Sequence, residues 1–354
     1  MKIQFIESNN LKAKPDFNSL GFGKHFTDYM FEMDYSTDKG WHSPKIKPHT
    51  PILMDPAMCC LHYAQEAFEG LKAYKNKEDH ILLFRPDMNA KRLQTSCSRL
   101  CMPELPEEIF LEAIKQLVKH EENWIPTAEG SSLYIRPFIF GSENFLGVRP
   151  ANNYKFIVIL SPVGAYYPEG INPVKIYVED TYSRASKGGT GDIKCGGNYA
   201  ASIIAQEKAH KLGYTQVLWL DSVEKKYVEE VGTMNVFFNI DDTIYTPMLN
   251  GTILPGITRD SCIELLKEWG YKVSESLIDI ESVMTAAKEG RLKEAWGTGT
   301  AAVISPIGEL NYKGDIVKIN NFKIGDVTKR LYDTLTGIQY GHIKSKKNWS
   351  FLVK

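Results

Sequence analysis

The sequence predicts a mixed α+β, partly α/β, protein of two domains, and three observations carry that expectation. The chain has 354 residues, about twice the roughly 150 residues of one typical domain. Strand-like runs and short amphipathic helices follow one another without a steady β-α repeat. The stretch PVGAYYPEGINPV at 162–174 is rich in Pro and Gly and poor in aliphatics, the mark of an exposed connection. The expected division is a small α+β domain at 1–162, a loop at 163–173 and a larger domain at 174–354.

Taken in order, 69–74 and 80–84 read as strands. Arg85-Pro86 then opens a helix over 87–100, with Met88, Leu93, Cys97 and Leu100 at helical spacing; proline is common at a first helical position. A second helix over 106–124 places Ile109, Phe110, Ala113, Ile114, Leu117 and Val118 on one face. Strands over 132–140 and 154–161 complete an antiparallel sheet. Past the connection come a strand (174–178), a glycine-rich loop (188–197), a helix (198–211) stopped by Gly213 and a strand (216–221). Hairpin strands follow to Tyr245, then a helix (257–269) stopped by Gly270 and a strand (272–277). A helix (280–288), strands (294–306) and a C-terminal helix (324–337) end the order.

Lys plus Arg number 42 against 43 Asp plus Glu, a net charge of −1, which argues against a nucleic-acid or anionic-membrane binder. The N-terminal MKIQFIESNNLKAKPDF lacks a secretory apolar core, and the longest clean apolar run, Phe156 to Leu160, is far too short for a membrane helix. Six cysteines occur without a CxxC pair. A reduced cytoplasmic protein is expected, with Cys97 and Cys101 as buried or half-buried thiols on a helix. The eight His form no HExxH or zinc-spaced cluster, so no metal is expected.

Four loops carry the chemistry. In GGTGDIKCGGNYAAS (188–202), Lys194 stands between two glycine clusters. Most lysines are solvated charges, but flanking glycines let backbone approach a ligand closely, and a lysine amine forms Schiff bases with aldehydes. A nucleotide phosphate loop is the rival, yet GxxxxGK[ST] is not matched here. In EVGTMN (230–235), Glu230 precedes a glycine turn; it is either a solvated carboxylate or the partner of a protonated ring nitrogen. In LNGTILPGITRDS (249–261), Pro255-Gly256 opens a helix whose first N–H groups, those of Ile257 and Thr258, form a ready phosphate site. In WGTGTAAVISP (296–306), Thr300 offers a hydroxyl and Ala301 a backbone N–H.

Together these loops resemble the fold-type IV pyridoxal-phosphate enzymes, and within them the branched-chain amino acid aminotransferase family. The resemblance spans nearly the whole chain, through GFGKHFTDYM (21–30), LHYAQEAFEGLKAY (61–74), FRPDMNAKRL (84–93), SLYIRPFIFG (132–141), PVGAYYPEG (162–170) and IQYGHI (338–343). It implies a two-domain fold-type IV architecture with the cofactor in the larger domain. It also implies reversible ping-pong transamination of leucine, isoleucine and valine with 2-oxoglutarate. A D-amino acid aminotransferase or an aminodeoxychorismate lyase of the same fold type is the alternative.

By the same resemblance, Lys194 holds pyridoxal 5'-phosphate covalently and then works as general acid and base. Tyr199 bonds the cofactor's phenolic oxygen and Glu230 pairs with its ring nitrogen. Arg92, Ile257, Thr258 and Thr300 meet the phosphate, with Arg85 as a competing arginine. Phe22, Phe68, Tyr134 and Met234 wall an apolar substrate pocket. Tyr63, Leu146 and Val148 reach in from the partner subunit, which implies at least a homodimer. The substrate α-carboxylate meets Thr300, Ala301, the Thr233 region and the partner's Tyr63. Arg136, two residues from Tyr134, accepts the distal carboxylate of glutamate, or else makes a structural ion pair. The redox CxxC of some relatives is replaced here by Ala302 and Ser305, so thiol regulation at that place is not expected.

Overall fold

The computed structural model describes residues 2–165 and 171–354; Tyr166 and Tyr167 of the expected loop, with Pro168 to Gly170, lie outside the described residues. The chain divides into two compact units. The first comprises 1–168, 194–196 and 337–354; the second comprises 169–193 and 197–336.

The first unit is built on a sheet of nine described strands. Its order is Gln4–Phe5, Gly40–Pro48, Tyr29–Ser36, Asn153–Val163, Ser132–Gly141, Leu71–Lys75, Ile81–Phe84 and Ser350–Leu352, with Glu66–Phe68 also paired to Ser132–Gly141. All pairs are antiparallel except the one made by Gln4–Phe5. Helices Pro86–Arg99 and Glu107–His120 supply Ala90, Leu93, Phe110, Ala113, Ile114, Leu117 and Val118 to one core with the strands. Phe156 sits fully buried within it, its ring centroid 5.6 Å from that of Phe31 and 6.3 Å from that of Phe110.

The second unit has its own sheet of nine described strands, mixed in direction. Val228–Val231, Gln216–Leu220, Val174–Glu179, Val303–Tyr312, Leu292–Gly299, Asn235–Ile240, Thr243–Pro247 and Lys272–Ser276 follow in order, with Asp315–Lys318 beside Val303–Tyr312. Helix Ile257–Glu268 buries Ile257, Cys262, Ile263, Leu265 and Leu266, and stops before Gly270 at φ 85°, a left-handed position that suits glycine. The expectation of a mixed α+β, partly α/β, fold therefore holds: the first sheet is almost wholly antiparallel and the second is mixed in direction.

Three details differ from the sequence reading. The helix expected over 198–211 is two, Gly196–Ala200 and Ile203–Lys211. At the break the Ser202 hydroxyl donates back to the Tyr199 carbonyl at 2.7 Å, a local bond that competes with the helix ladder. Cys101 lies past the helix end, exposed and at φ 54°, and is not a buried thiol like Cys97. The last strand, Ser350–Leu352, pairs with Ile81–Phe84 and so joins the first sheet. Among the described residues, no helix is long and apolar enough to cross a membrane, and no group of His, Cys, Asp and Glu is arranged to hold a metal ion.

Phe156→Ala removes a ring from the centre of the first core. Its cost should be about 3–5 kcal/mol in urea unfolding, and a loss below about 1 kcal/mol would contradict this packing.

Candidate functional site

Lys194 belongs to the first unit although the chain on both sides of 194–196 belongs to the second. Its N–H donates to Ser96 Oγ at 3.1 Å, and its carbonyl accepts the Phe68 N–H at 3.0 Å. The Gly196 N–H donates to Glu66 Oε1. The half-buried side chain brings Nζ to 4.8 Å from the Phe68 ring centre. Burial pushes the amine's pKa down to about 8; the cations of Arg92 and Arg136 push the same way, and Glu69 and Tyr134 oppose them.

Around this amine the structure gathers several of the expected pocket residues. Arg136 Nη2 donates to the Tyr134 hydroxyl at 3.0 Å, and its guanidinium lies 4.8 Å from the Phe68 ring and 5.3 Å from the Tyr134 ring. Among the described residues, the buried Nε of Arg136 has no hydrogen-bond partner. Phe22 meets Tyr134 edge-on at 4.9 Å. A Cβ at position 70 would overlap the Tyr134 hydroxyl, which is why Gly70 stands there.

Arg92 projects from helix Pro86–Arg99 and grips Glu69 with two bonds, Nε to Oε1 at 2.7 Å and Nη2 to Oε2 at 2.9 Å. Asn89 adds a third bond to Glu69 at 2.7 Å. Burial pushes the Glu69 carboxyl up, but the Arg92 guanidinium overrides it and holds it below the usual value. Arg85 instead stacks on Trp349 at 5.0 Å. Tyr63, Leu146 and Val148 are exposed, and Tyr63 and Val148 line a separate cleft with Cys59, Leu100, Cys101 and Arg149.

In the second unit Tyr199, Glu230 and Thr233 line one small pocket with Arg184, Asn198, Ser202, Gly232 and Leu254. Glu230 is buried; Arg184 Nε lies 2.9 Å from its Oε2, and the Leu254 N–H donates to its Oε1 at 2.7 Å. Arg184 is held in turn by the carbonyls of Thr252 at 2.8 Å and Gly191 at 3.2 Å. Beyond Leu254, Pro255-Gly256 starts helix Ile257–Glu268, whose first N–H bonded back to Gly256 is that of Asp260. The N–H groups of Ile257 and Thr258 therefore precede the helix ladder. Met234 packs against Gly297 and Gly299, next to the turn that holds Thr300 and Ala301.

Sequence reasoning missed Glu66, Glu69, Ser96 and Arg184. Their partners lie far along the chain or carry no local motif. The acidic neighbour Glu229 is likewise buried, its carboxyl pushed up to about 7 by burial.

Residues 66–310 match the model of the amino-transferase class IV family, more than half of the chain. A branched-chain-amino-acid aminotransferase 2 of Bacillus subtilis (strain 168) is 58% identical over 339 residues, covering 96% of this chain and 93% of that one. The chain belongs to the branched-chain amino acid aminotransferase family. Solved members agree with this aminotransferase fold. The Escherichia coli branched-chain amino acid aminotransferase superposes with a TM-score of 0.78 at 26% identity, over 92% of this chain and 99% of that one. The branched-chain amino acid aminotransferase from Thermobaculum terrenum, solved in its PLP-form, gives 0.75 at 25%, over 92% and 98%.

In the aminotransferase with nothing bound, pH-dependent amine labelling of Lys194 followed by peptide mass analysis should give a pKa of about 8. The amine is protonated and inert below that value and reactive above it. A midpoint near the ordinary lysine value of about 10.4 would contradict the environment described.

Proposed function

We propose that this aminotransferase exchanges the amino group of L-leucine, L-isoleucine or L-valine with 2-oxoglutarate, reversibly and in two half-reactions, using pyridoxal 5'-phosphate. The observation that carries the reading is the Lys194 amine: half-buried, lowered toward neutrality and walled by Phe68 with Arg136 and Tyr134 nearby.

The residues fit the cofactor. An amine with pKa about 8 is partly unprotonated near neutral pH and can attack an aldehyde. Glu230, its charge met by Arg184 and the Leu254 N–H, is suited to pair with the ring nitrogen. Tyr199 in the same pocket suits the phenolic oxygen. Arg92, the N–H groups of Ile257 and Thr258, and Thr300 take the phosphate. When bound, pyridoxal phosphate supplies an electron sink for the charge left by removal of a Cα proton.

The chain's own residues do the rest. With the cofactor in place, Lys194 Nζ would take the proton from the substrate's Cα and deliver it to the cofactor's C4′ carbon, on the far side of the amino nitrogen, and would run the reverse order for the second substrate. Phe22, Phe68, Tyr134 and Met234 receive the aliphatic side chain and exclude water. Thr300, Ala301 and the Thr233 region take the α-carboxylate, together with the partner's Tyr63. Arg136, set among rings, receives the distal carboxylate of glutamate; that lets one pocket serve apolar and acidic substrates. Tyr63, Leu146 and Val148 are 40%, 71% and 88% exposed, and a homodimer in which they enter the partner's pocket would cover this apolar surface. Six free thiols suit a reducing compartment, so we place the enzyme in the cytoplasm. The loop at 163–173 remains the proposed connection between domains.

The test is the visible spectrum of the cofactor-loaded enzyme with L-leucine and no oxo acid. The band should bleach, with 4-methyl-2-oxopentanoate released in amounts matching the enzyme. Lys194→Ala should still bind cofactor and lose transamination, by at least the ~10²–10⁴-fold that positioned proton transfer contributes. A band that responds to D-alanine alone would overturn the substrate assignment, and near-native turnover in Lys194→Ala would overturn the role of the lysine.

A further inference from the structure

We propose that Glu66 and Ser96 are positioning residues that anchor the backbone of Lys194–Gly196, so that the amine and Arg92 keep a fixed separation. The proposal rests on the reading of Lys194 as the cofactor lysine.

The segment 194–196 is a three-residue excursion: Ile193 before it and Gly197 after it group with the second unit. Gly196 and Gly197 open helix Gly196–Ala200 and, having no side chains, add no side-chain contact of their own. Bonds from Ser96, Phe68 and Glu66 of the first unit hold the backbone of 194–196. Ser96 lies one turn beyond Arg92 on helix Pro86–Arg99. Its hydroxyl donates to the Arg92 carbonyl at 3.0 Å, which fixes the oxygen, and that oxygen accepts the Lys194 N–H at 3.1 Å. One buried hydroxyl thus joins the backbone of the arginine to the backbone of the lysine.

Glu66 works from the other side. It shares strand Glu66–Phe68 with Phe68, whose N–H holds the Lys194 carbonyl and whose ring lies beneath the amine. The Glu66 carboxylate accepts the Gly196 N–H so closely that a Cβ at position 196 would overlap its Oε1. Burial raises the pKa of this carboxyl, while the Gly196 N–H and the cation of Arg136 oppose the rise. Keeping a carboxylate half-buried costs desolvation, and gripping the lysine loop gives that cost a purpose.

The experiment compares Ser96→Ala, Glu66→Ala and Glu66→Gln with the native enzyme. Kinetics are measured on the holoenzyme, and amine labelling of Lys194 and thermal unfolding on the cofactor-free form. Loosening the loop lets water reach the amine, so the labelling midpoint of both alanine variants should move up toward the ordinary lysine value. For leucine, kcat should fall roughly tenfold or more with KM changed less than about threefold, since misplacement by about 1 Å costs up to ~10²-fold. Glu66→Gln keeps an acceptor oxygen and should recover most of the loss. A lowered melting temperature with an unmoved Lys194 midpoint would overturn the proposal, because that is what a merely structural role predicts. Unchanged labelling and kinetics would overturn it as well. Should the native enzyme fail to respond to leucine, the functional reading falls, while the labelling midpoint still decides the anchoring.

Discussion

One arrangement organises this part of the first unit: a lysine amine is held half-buried, with its pKa lowered to about 8. Burial alone lowers its pKa, and the cations of Arg92 and Arg136 lower it further. Those two cations also need a reason to stay. Arg92 is answered by Glu69 through two bonds, and Arg136 by aromatic faces and the Tyr134 hydroxyl. Gly70 is small because Tyr134 needs its space. The sheet, the helix behind it and the short strand at 66–68 can each be understood as what holds this arrangement together.

The second unit solves a related problem with a carboxylate. Burying Glu230 costs desolvation, and the Arg184 pair with the Leu254 N–H offsets it. A buried ion pair is weak evidence for stability, since apolar residues often serve as well. Its retention makes better sense as a fixed negative charge at a defined point. The bond to Leu254 also ties that charge to the loop that begins helix Ile257–Glu268, so one contact sets both the carboxylate and the helix N-terminus within this unit.

Much of this was legible in the sequence because its signals are local. Glycines on both sides of Lys194, the EVG turn after a strand and the Pro-Gly start of a helix all announce themselves within a few residues. Helical periodicity marked the helix expected over 106–124, of which 107–120 forms, and Gly270 marked the end of the one expected over 257–269. What stayed hidden depends on distant partners. Glu69 shows its role only once Arg92 and Asn89 fold onto it. Arg184 has no motif around it, and its partners lie at 191, 230 and 252. Strands Tyr29–Ser36 and Gly40–Pro48 carry charged residues such as Glu32, Lys45 and Lys47, and the ion pairs between them hide the pattern of burial. Ser350–Leu352 is three residues long and exists by pairing with Ile81–Phe84.

The central claim is that Lys194 is the residue to which the cofactor is bonded. Borohydride reduction of the pyridoxal-phosphate-loaded enzyme makes that bond permanent, and peptide mass analysis locates it. The account predicts a single reduced phosphopyridoxyl group on the peptide carrying Lys194. Finding it on another lysine, such as the buried Lys72 whose amine is also lowered to about 8, would contradict the account at its root.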